Sequence, residues 1–146
     1  MLVYSTPPLE RDVEVTGPIT VTLWAVTSAP DTDFTAKLVD VCEHGCARNL
    51  TDGIIRARYR DSRSTPSLVE PGRAYGYTID LWATSNVFKA GHRIRVEVSS
   101  SNFPRFDRNP NTGRRVAEDA ELKPALQTIL HSAQYLSHIT LPIVPR

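Results

Sequence analysis

The chain has 146 residues, of which 40% are apolar and 23% are charged, a size and composition typical of one folded domain and unlike a disordered or fibrous chain. Lysine and arginine number 17 against 16 acidic residues, a formal net charge of +1. Such a balance gives no bulk attraction to nucleic acid or to anionic lipid, so neither is an expected partner. We expect residues 1–146 to form a single domain.

The first residues, MLVYSTPPLE, contain neither a basic segment nor an apolar core of the kind found in secretory signal peptides. No apolar run approaches the roughly 20 residues that a membrane helix needs. The expected localisation is therefore cytoplasmic, with no membrane partner.

Alternation of apolar and other side chains dominates the chain from the first third onward and is typical of strands with one face in a core. The alternating segments are residues 19–26, 34–39, 55–60, 75–81, 93–98 and 139–143. The segment 55–60 would place Arg56, Arg58 and Arg60 on one face as a ladder of guanidinium groups. Pro142 cannot donate a ladder hydrogen bond, which predicts an edge position for the last strand.

Turn-forming dipeptides separate these segments, among them Gly17-Pro18, Asp52-Gly53 and Pro71-Gly72. The only helical candidate is weak and covers residues 116–122, where Pro124 limits its extension. Short alternating segments between frequent turns predict an all-β fold of two packed antiparallel sheets, a jelly roll or related β-sandwich.

No serine of the chain lies in a G-x-S-x-G motif, and the chain lacks the βαβ alternation that builds a nucleophile elbow. Ser132, His131 and Asp119 are close enough in sequence to be considered as a triad, since triads are defined by geometry rather than by order. Serine and histidine on strands more often face solvent. We therefore predict no catalytic residue in this chain.

Cys42 and Cys46 flank His44 in the sequence CEHGC, which leaves three interpretations. Free thiols at the end of a hairpin are the favoured one, followed by a cross-strand disulfide and then by a zinc site, which would lack further ligands. Asp31, Asp33 and Asp40 could in principle bind calcium, but structural hydrogen bonds in a turn are the favoured role of these aspartates. No metal and no cofactor is expected.

Trp24 and Trp82 are the residues that a sugar-binding sandwich would use as stacking platforms, although packing in a core or an interface is the favoured role of both. The predicted arginine ladder could contact phosphates or pair with acidic residues of a neighbouring strand or domain. The sequence leaves both alternatives open.

The segment from Ser99 to Leu126 breaks the strand rhythm, and long irregular loops are commonly functional or docked on another surface. Two large apolar side chains stand within it beside charged residues that are typical anchors of interfaces. A local cap over the core is the competing explanation. The candidate docking residues are Asn102, Phe103, Arg105, Phe106, Asp107, Arg108 and Asn109.

These residues also carry a family resemblance. The segments NLTDGIIRARYRDS, SSNFPRFDRNPNTG and HSAQYLSHITLPIVP, in this order, resemble the C-terminal domain of the X-Pro dipeptidyl-peptidase and cocaine esterase family of serine hydrolases. The resemblance covers nearly the whole chain. It implies a jelly-roll sandwich of galactose-binding-like topology that accompanies an α/β-hydrolase domain, and it implies that the catalytic residues lie in that other domain.

The leading hypothesis is a non-catalytic accessory domain of a serine peptidase or acyl esterase, which packs on the hydrolase domain through residues 102–109. Its partner would be that α/β-hydrolase domain, in the same or another chain, and an uncovered loop would favour a homo-oligomer. The alternative is a free-standing carbohydrate-binding module on the same fold, for which fold analogy is the only support.

Overall fold

The computed structural model describes residues 1–145, which form nine strands and two single turns of 3-10 helix. The strands are β1 Leu2–Ser5, β2 Val13–Thr27, β3 Asp33–Val41, β4 Ala47–Arg56, β5 Ala74–Phe88, β6 Arg93–Ser99, β7 Gln127–Ile129, β8 His138–Thr140 and β9 Ile143–Val144. All strand pairs are antiparallel.

The strands form two sheets. The first sheet has the order β1-β6-β3-β4. In the second sheet β5 pairs with one edge of β2 along almost its full length, and three short strands pair with β2 on the other edge. These short strands follow one another along β2: Ile129 of β7 lies opposite Ala25, Ile139 of β8 opposite Val21, and Ile143 of β9 opposite Val15. The last predicted strand lies at this edge, as Pro142 led us to expect, but Pro142 divides it into β8 and β9.

The core lies between the two sheets because β2 and β5 each turn one face inward. Val21 and Leu23 of β2 and Ile79 of β5 are among its fully covered side chains, and Phe34 of β3 packs its ring 4.8 Å from that of Tyr77. Period-two burial along β2 is the pattern that the sequence predicts. The predicted all-β sandwich of two antiparallel sheets is confirmed, and the galactose-binding-like topology stays a prediction.

The prediction of a strand over residues 55–60 is wrong in its second half. Strand β4 ends at Arg56, opposite Asp33, the first residue of β3, and Ala57–Tyr59 is a 3-10 turn. Beyond that point one backbone bond remains, from the N–H of Ala57 to the carbonyl of Thr32 at 2.8 Å. The N–H of Arg58 donates instead to the carboxylate of Asp31, which turns the chain out of the sheet.

The helical candidate at 116–122 is reduced to a 3-10 turn over Val116–Glu118. Three residues are too few for an α-helix, and the following residues up to Pro124 have no regular structure. In residues 1–145 no helix is both long enough and apolar enough to cross a membrane.

The favoured interpretation of Cys42 and Cys46 as free thiols is also wrong, because a disulfide joins them at the tip of the β3–β4 hairpin. The hairpin brings their Cα atoms to 5.2 Å, a separation that a disulfide can span. The backbone closes the same turn, since the N–H of Cys42 donates to the carbonyl of Cys46 at 2.8 Å. Gly45 has the positive φ of 86° that the turn requires.

Candidate functional site

Two buried carboxylates stand where the chain enters β3. The side chain of Asp31 is completely covered and that of Asp33 almost so. Arg56 donates from Nε and Nη2 to the two oxygens of Asp33 at 2.9 and 3.1 Å, and Arg58 donates from Nε to Asp31 at 2.8 Å. Because isolated charges cannot be buried at acceptable cost, these pairs are a condition for covering the two carboxylates.

Asp33 also changes the pKa of Arg56, its ion-pair partner. Its hydrogen bond to Arg56 raises the pKa of that guanidinium above the ordinary arginine value, with the negative charges of Asp33 and Asp31 in support. The positive charges of Arg56 and Arg58 are therefore balanced by carboxylates of the same domain, so these side chains are not free to bind a phosphate. Of the two alternatives for the arginine ladder, pairing with acids of a neighbouring segment is the one seen.

Arg60, the third member of the predicted ladder, lies apart from the other two. Its guanidinium stacks 4.4 Å from the centre of the Tyr75 ring and donates to the carbonyls of Ala57 and Ser67 at 3.1 and 2.6 Å. It thus anchors the segment after β4 to β5, since planar guanidinium groups combine stacking with several hydrogen bonds.

Asn109 attaches the long loop to the buried carboxylates. Its Nδ2 donates to Asp31 and to Asp33, at 2.8 Å in each case, and its Oδ1 accepts the N–H of Asn111 at 2.9 Å. The amide group therefore uses both of its N–H donors and its carbonyl in one place. The loop is braced against the strand entry by one side chain that touches both ion pairs.

A second attachment lies on β4. Asp52, which is nearly covered, accepts a hydrogen bond from Nδ2 of Asn102 at 3.0 Å and pairs with Nε of Arg105 at 2.9 Å. The loop residues 102–109 thus contact the first sheet at both of their ends. The guanidinium of Arg105 also lies 5.6 Å from the centre of the Phe106 ring.

Between these attachments the loop exposes side chains to solvent. Phe103 is 66% exposed, whereas Phe106 is half-buried. Arg105 and Arg108 are exposed, and Asp107 is exposed at the rim of a recess of about 290 Å³ that Arg56 and Arg115 also line. The arrangement is a braced loop that presents one aromatic ring among charged groups, a combination typical of interface anchors.

The two tryptophans occupy different places. Trp24 is half-buried, with its ring 5.2 Å from that of Tyr135 and against Gly76. Trp82 is 69% exposed and has a positive φ of 64° at the irregularity of the β2–β5 pairing, where its N–H donates to Asp80. Trp82 lies six positions beyond Gly76 along β5, roughly 20 Å at 3.4 Å per residue. The two rings do not form a common platform, and their role as sugar ligands stays a prediction.

The three residues considered as a triad engage other partners. Nε2 of His131 is hydrogen-bonded to the Tyr4 hydroxyl at 2.8 Å, Oγ of Ser132 accepts the N–H of Tyr135, and Asp119 accepts from Thr112. The hydrogen bond from Thr112 lowers the pKa of the Asp119 carboxyl below its ordinary value. No hydrogen bond within residues 1–145 joins the three.

The aspartates considered as calcium ligands are occupied in the same way. Asp31 and Asp33 bind arginines, and Asp40 accepts from Nδ1 of His92 at 2.8 Å. Within residues 1–145 no three histidine, cysteine or acidic side chains are grouped as metal ligands. The disulfide likewise withholds both sulfurs from zinc.

We did not foresee from the sequence the role of Asp52, nor that Asp31 and Asp33 are the acidic partners of the arginines. A signal for the pairing exists, because Asp31 and Asp33 share the spacing of Arg56 and Arg58, and antiparallel strands bring equal spacings opposite each other. No comparable pattern marks Asp52, whose partners Asn102 and Arg105 are 50 or more residues away in the chain.

Fold and site together define a β-sandwich module with a braced surface loop, and comparison with known proteins identifies the module. Residues 1–140 match the family described as the X-Pro dipeptidyl-peptidase C-terminal non-catalytic domain. The chain belongs to this family.

The relatives are larger hydrolases. The chain is 51% identical to the cocaine esterase of Rhodococcus sp. (strain MB1 Bresler), over its whole length and 26% of that protein. It is 29% identical to a putative Xaa-Pro dipeptidyl-peptidase of Bacillus anthracis, over 98% of the chain and 21% of the relative. The chain thus spans about a quarter of the length of the curated relatives it matches.

Solved structures agree with this assignment. An aminopeptidase from the marine sediment archaeon Thaumarchaeota archaeon superposes with a TM-score of 0.95 at 32% identity, over 99% of this chain and 26% of that one. An α-amino acid ester hydrolase superposes with a TM-score of 0.93, also at 32% identity, over 98% and 25%. The chain is therefore a non-catalytic domain of the kind found in larger hydrolases.

Proposed function

We propose that this chain is an accessory domain that packs on an α/β-hydrolase domain through the loop 102–109 and stabilises it. The observation that carries the proposal is the contrast within this loop. Asn102 and Asn109 attach it to covered carboxylates, while Phe103 between them is 66% exposed. A rigid loop with an exposed aromatic ring loses little conformational entropy on docking, which favours binding.

The exposed groups of the loop suit a protein surface of mixed character. Phe103 would fill an apolar depression, and Arg105 and Arg108 would pair with acidic or carbonyl groups at its rim. Asp107 adds a carboxylate on the same loop. The proposed partner is therefore a folded protein domain, and nucleic acid and membrane are not proposed as partners.

The proposed parent is a serine hydrolase that acts on an ester or on a peptide bond. The matched relatives include an esterase, an ester hydrolase, an aminopeptidase and a dipeptidyl-peptidase, and these names share hydrolysis of an acyl group. In this proposal residues 1–146 act as one domain, the hydrolase domain belongs to the same polypeptide, and the compartment is the cytoplasm. Self-association through an uncovered loop is a secondary proposal.

A domain exchange tests the proposal. The quarter of the Rhodococcus cocaine esterase that matches this chain is replaced by the chain itself, and hydrolysis of 4-nitrophenyl acetate is followed after incubation at increasing temperatures. We expect the chimera to be active. Phe103→Asp should lower the temperature at which activity is lost, because a central aromatic anchor contributes on the order of 2 kcal/mol or more to an interface.

Leu122→Asp is the matched control, since Leu122 is 57% exposed and lies outside the residues 102–109. Both variants are also melted as isolated domains, where neither substitution should matter because both side chains already face water. Equal inactivation temperatures for the two chimeric variants would contradict docking through Phe103.

A further inference from the structure

Strand β1 has a free edge. It pairs with β6 on one side and ends the first sheet on the other. The N–H of Thr6 donates to Ile94, and alternation along an antiparallel ladder therefore directs the backbone groups of Tyr4 to β6 and those of Val3 and Ser5 outward. Within residues 1–145 no other strand pairs with these outward groups.

The edge is also apolar. Leu2 and Val3 are 46% and 47% exposed, and Met1 and Tyr4 are exposed as well. Natural edge strands are usually protected against further pairing by charges, prolines or bulges. Leu2–Ser5 contains no charge, proline or bulge, and its short length of four residues is its one protection. An apolar edge of this kind can accept a further strand.

Two cavities of about 230 Å³ each lie between the sheets below this edge. Tyr4 and Val96 line one of them together with Val21 and Leu23 of the second sheet. Val98 lines both cavities. The other side chains that line the second cavity include Met1, Leu2, Phe34, Gln127 and Ile129. Leu2 and Tyr4 face inward because they lie opposite Val98 and Val96 in the ladder.

The strand is held in place before anything covers it. The Tyr4 hydroxyl is hydrogen-bonded to His131, which lies between β7 and β8, at 2.8 Å, and Nε of Arg95 donates to the Ser5 hydroxyl at 3.1 Å. A preformed edge binds a strand without first paying the entropy of ordering itself.

We propose that an extended segment of the hydrolase part of the parent polypeptide adds to the β1 edge as the next strand of the first sheet. Its backbone would pair with Val3 and Ser5, and apolar side chains at alternate positions would cover the two cavities. The occupant follows from continuity, since Ser99 and Ser100 line the second cavity and lead directly into the docking loop. This inference rests on the proposed function, in which the remaining three quarters of a parent chain supply the segment.

Substitution of Val3 tests the edge without breaking the domain. Val3→Pro removes an outward N–H only, so the pairing of β1 with β6 persists, whereas Val3→Thr keeps this N–H and changes the side chain alone. The probe is the peptide KVTVTVK, acetylated and amidated at its ends. We expect about tenfold weaker binding by Val3→Pro, equivalent to about 1.4 kcal/mol, and binding within about twofold of the parent by Val3→Thr.

Amide hydrogen exchange locates the peptide. On binding, the amides of Val3 and Ser5 should become protected, whereas that of Tyr4 is already protected by its bond to β6. Equal binding by the two Val3 variants, or protection elsewhere, would overturn the edge site. If the free chain sediments as a dimer and Val3→Pro sediments as a monomer, the strand that occupies the β1 edge is that of a second copy of this chain, and the proposed occupant is wrong.

The chimera separates this inference from the proposed function. If the segment comes from the hydrolase part, Val3→Pro in the chimera lowers the inactivation temperature and Val3→Thr does not. If the isolated chain binds the peptide but Val3→Pro leaves the inactivation temperature of the chimera unchanged, the proposed occupant is wrong. The docking role of Phe103 is tested separately, by Phe103→Asp.

Discussion

At the scale of single residues, the molecule pairs charges that it has to bury. Asp31 and Asp33 are two residues apart and are both buried. Asp33 pairs with Arg56 and Asp31 with Arg58, and these two arginines are also two residues apart. The side chain of Asn109 then links the two pairs to the loop. Removing one member of such a network leaves its partners covered and unsatisfied, which costs more than the net contribution of the bond itself.

Asn109→Ala is expected to destabilise the domain by about 2–3 kcal/mol, because two hydrogen bonds to buried carboxylates are lost while both arginines remain. Urea unfolding at neutral pH measures the change. Asn49→Ala is the control, since Asn49 is exposed on β4. Similar unfolding midpoints for the two variants would show that Asn109 does not brace the loop.

Tyr77→Phe is expected to stabilise the domain by about 1 kcal/mol at neutral pH, because the buried Tyr77 hydroxyl has no hydrogen-bond partner within residues 1–145. Burial raises the pKa of Tyr77 to about 12, above the value of about 10 in an unfolded chain. The stability tied to this group is therefore present below pH 10 and is lost as the pH rises towards 12.

The advantage of Tyr77→Phe should accordingly widen between pH 10 and pH 12, as measured by urea unfolding at several pH values. Tyr75→Phe is the contrasting variant, since the Tyr75 hydroxyl accepts the N–H of Glu70 at 3.2 Å and its loss should destabilise. A pH-independent difference between the parent and Tyr77→Phe would contradict the raised pKa.

At the scale of elements, the two sheets meet most closely where β4 passes β5. The Thr51 hydroxyl donates to the carbonyl of Leu81, and a Cβ atom at Gly53 would overlap the carbonyl oxygen of Asp80. Asp52, between these two residues, points the other way and holds the docking loop. One short stretch of β4 thus joins the sheets on one face and the loop on the other, as period-two geometry allows.

Gly53→Ala should therefore destabilise the domain by about 3 kcal/mol, because the added methyl group meets backbone that cannot rotate away. Gly45→Ala is the matched control. It has open space around it and a positive φ of 86°, so only backbone strain of about 1 kcal/mol is expected there. Thermal melts of both variants test whether Gly53→Ala is the more destabilising. Equal losses of stability would show that the two sheets can move apart to accommodate the added methyl group.

At the scale of the whole molecule, two neighbouring surface features are the proposed binding sites for a partner. The loop 102–109 and the β1 edge adjoin one another through Ser99 and Ser100. Together they would offer a partner one aromatic anchor and one row of backbone hydrogen bonds, two modes of recognition with different physical requirements.

The isolated chain is expected to hydrolyse neither a 4-nitrophenyl acyl ester nor a Gly-Pro anilide, since it has no G-x-S-x-G motif and His131, Ser132 and Asp119 are each hydrogen-bonded to other residues. A serine-reactive phosphonate serves as the control and should leave the protein unlabelled. Turnover that the phosphonate blocks would show a catalytic serine in this sandwich and would refute the accessory role.

Much of the fold was predictable from the sequence because a half-buried strand needs no more than alternation and a turn at each end. The segments around Val21, Ile79 and Val96 are strands as expected. The end of β4 was not predictable in this way, because alternation continues through Tyr59 while the backbone partner on β3 stops at Asp33.

The sequence by itself determined the fold class and the family, since residue pattern and motif order are local or linear properties. Only the tertiary structure decided which acid each arginine binds, that Cys42 and Cys46 are joined, and that Phe103 is left outside while Phe106 is partly covered. The physical reason is distance along the chain. Asn109 reaches Asp31 across 78 positions, and no local pattern specifies which of several equivalent polar groups the folding of two sheets will bring together.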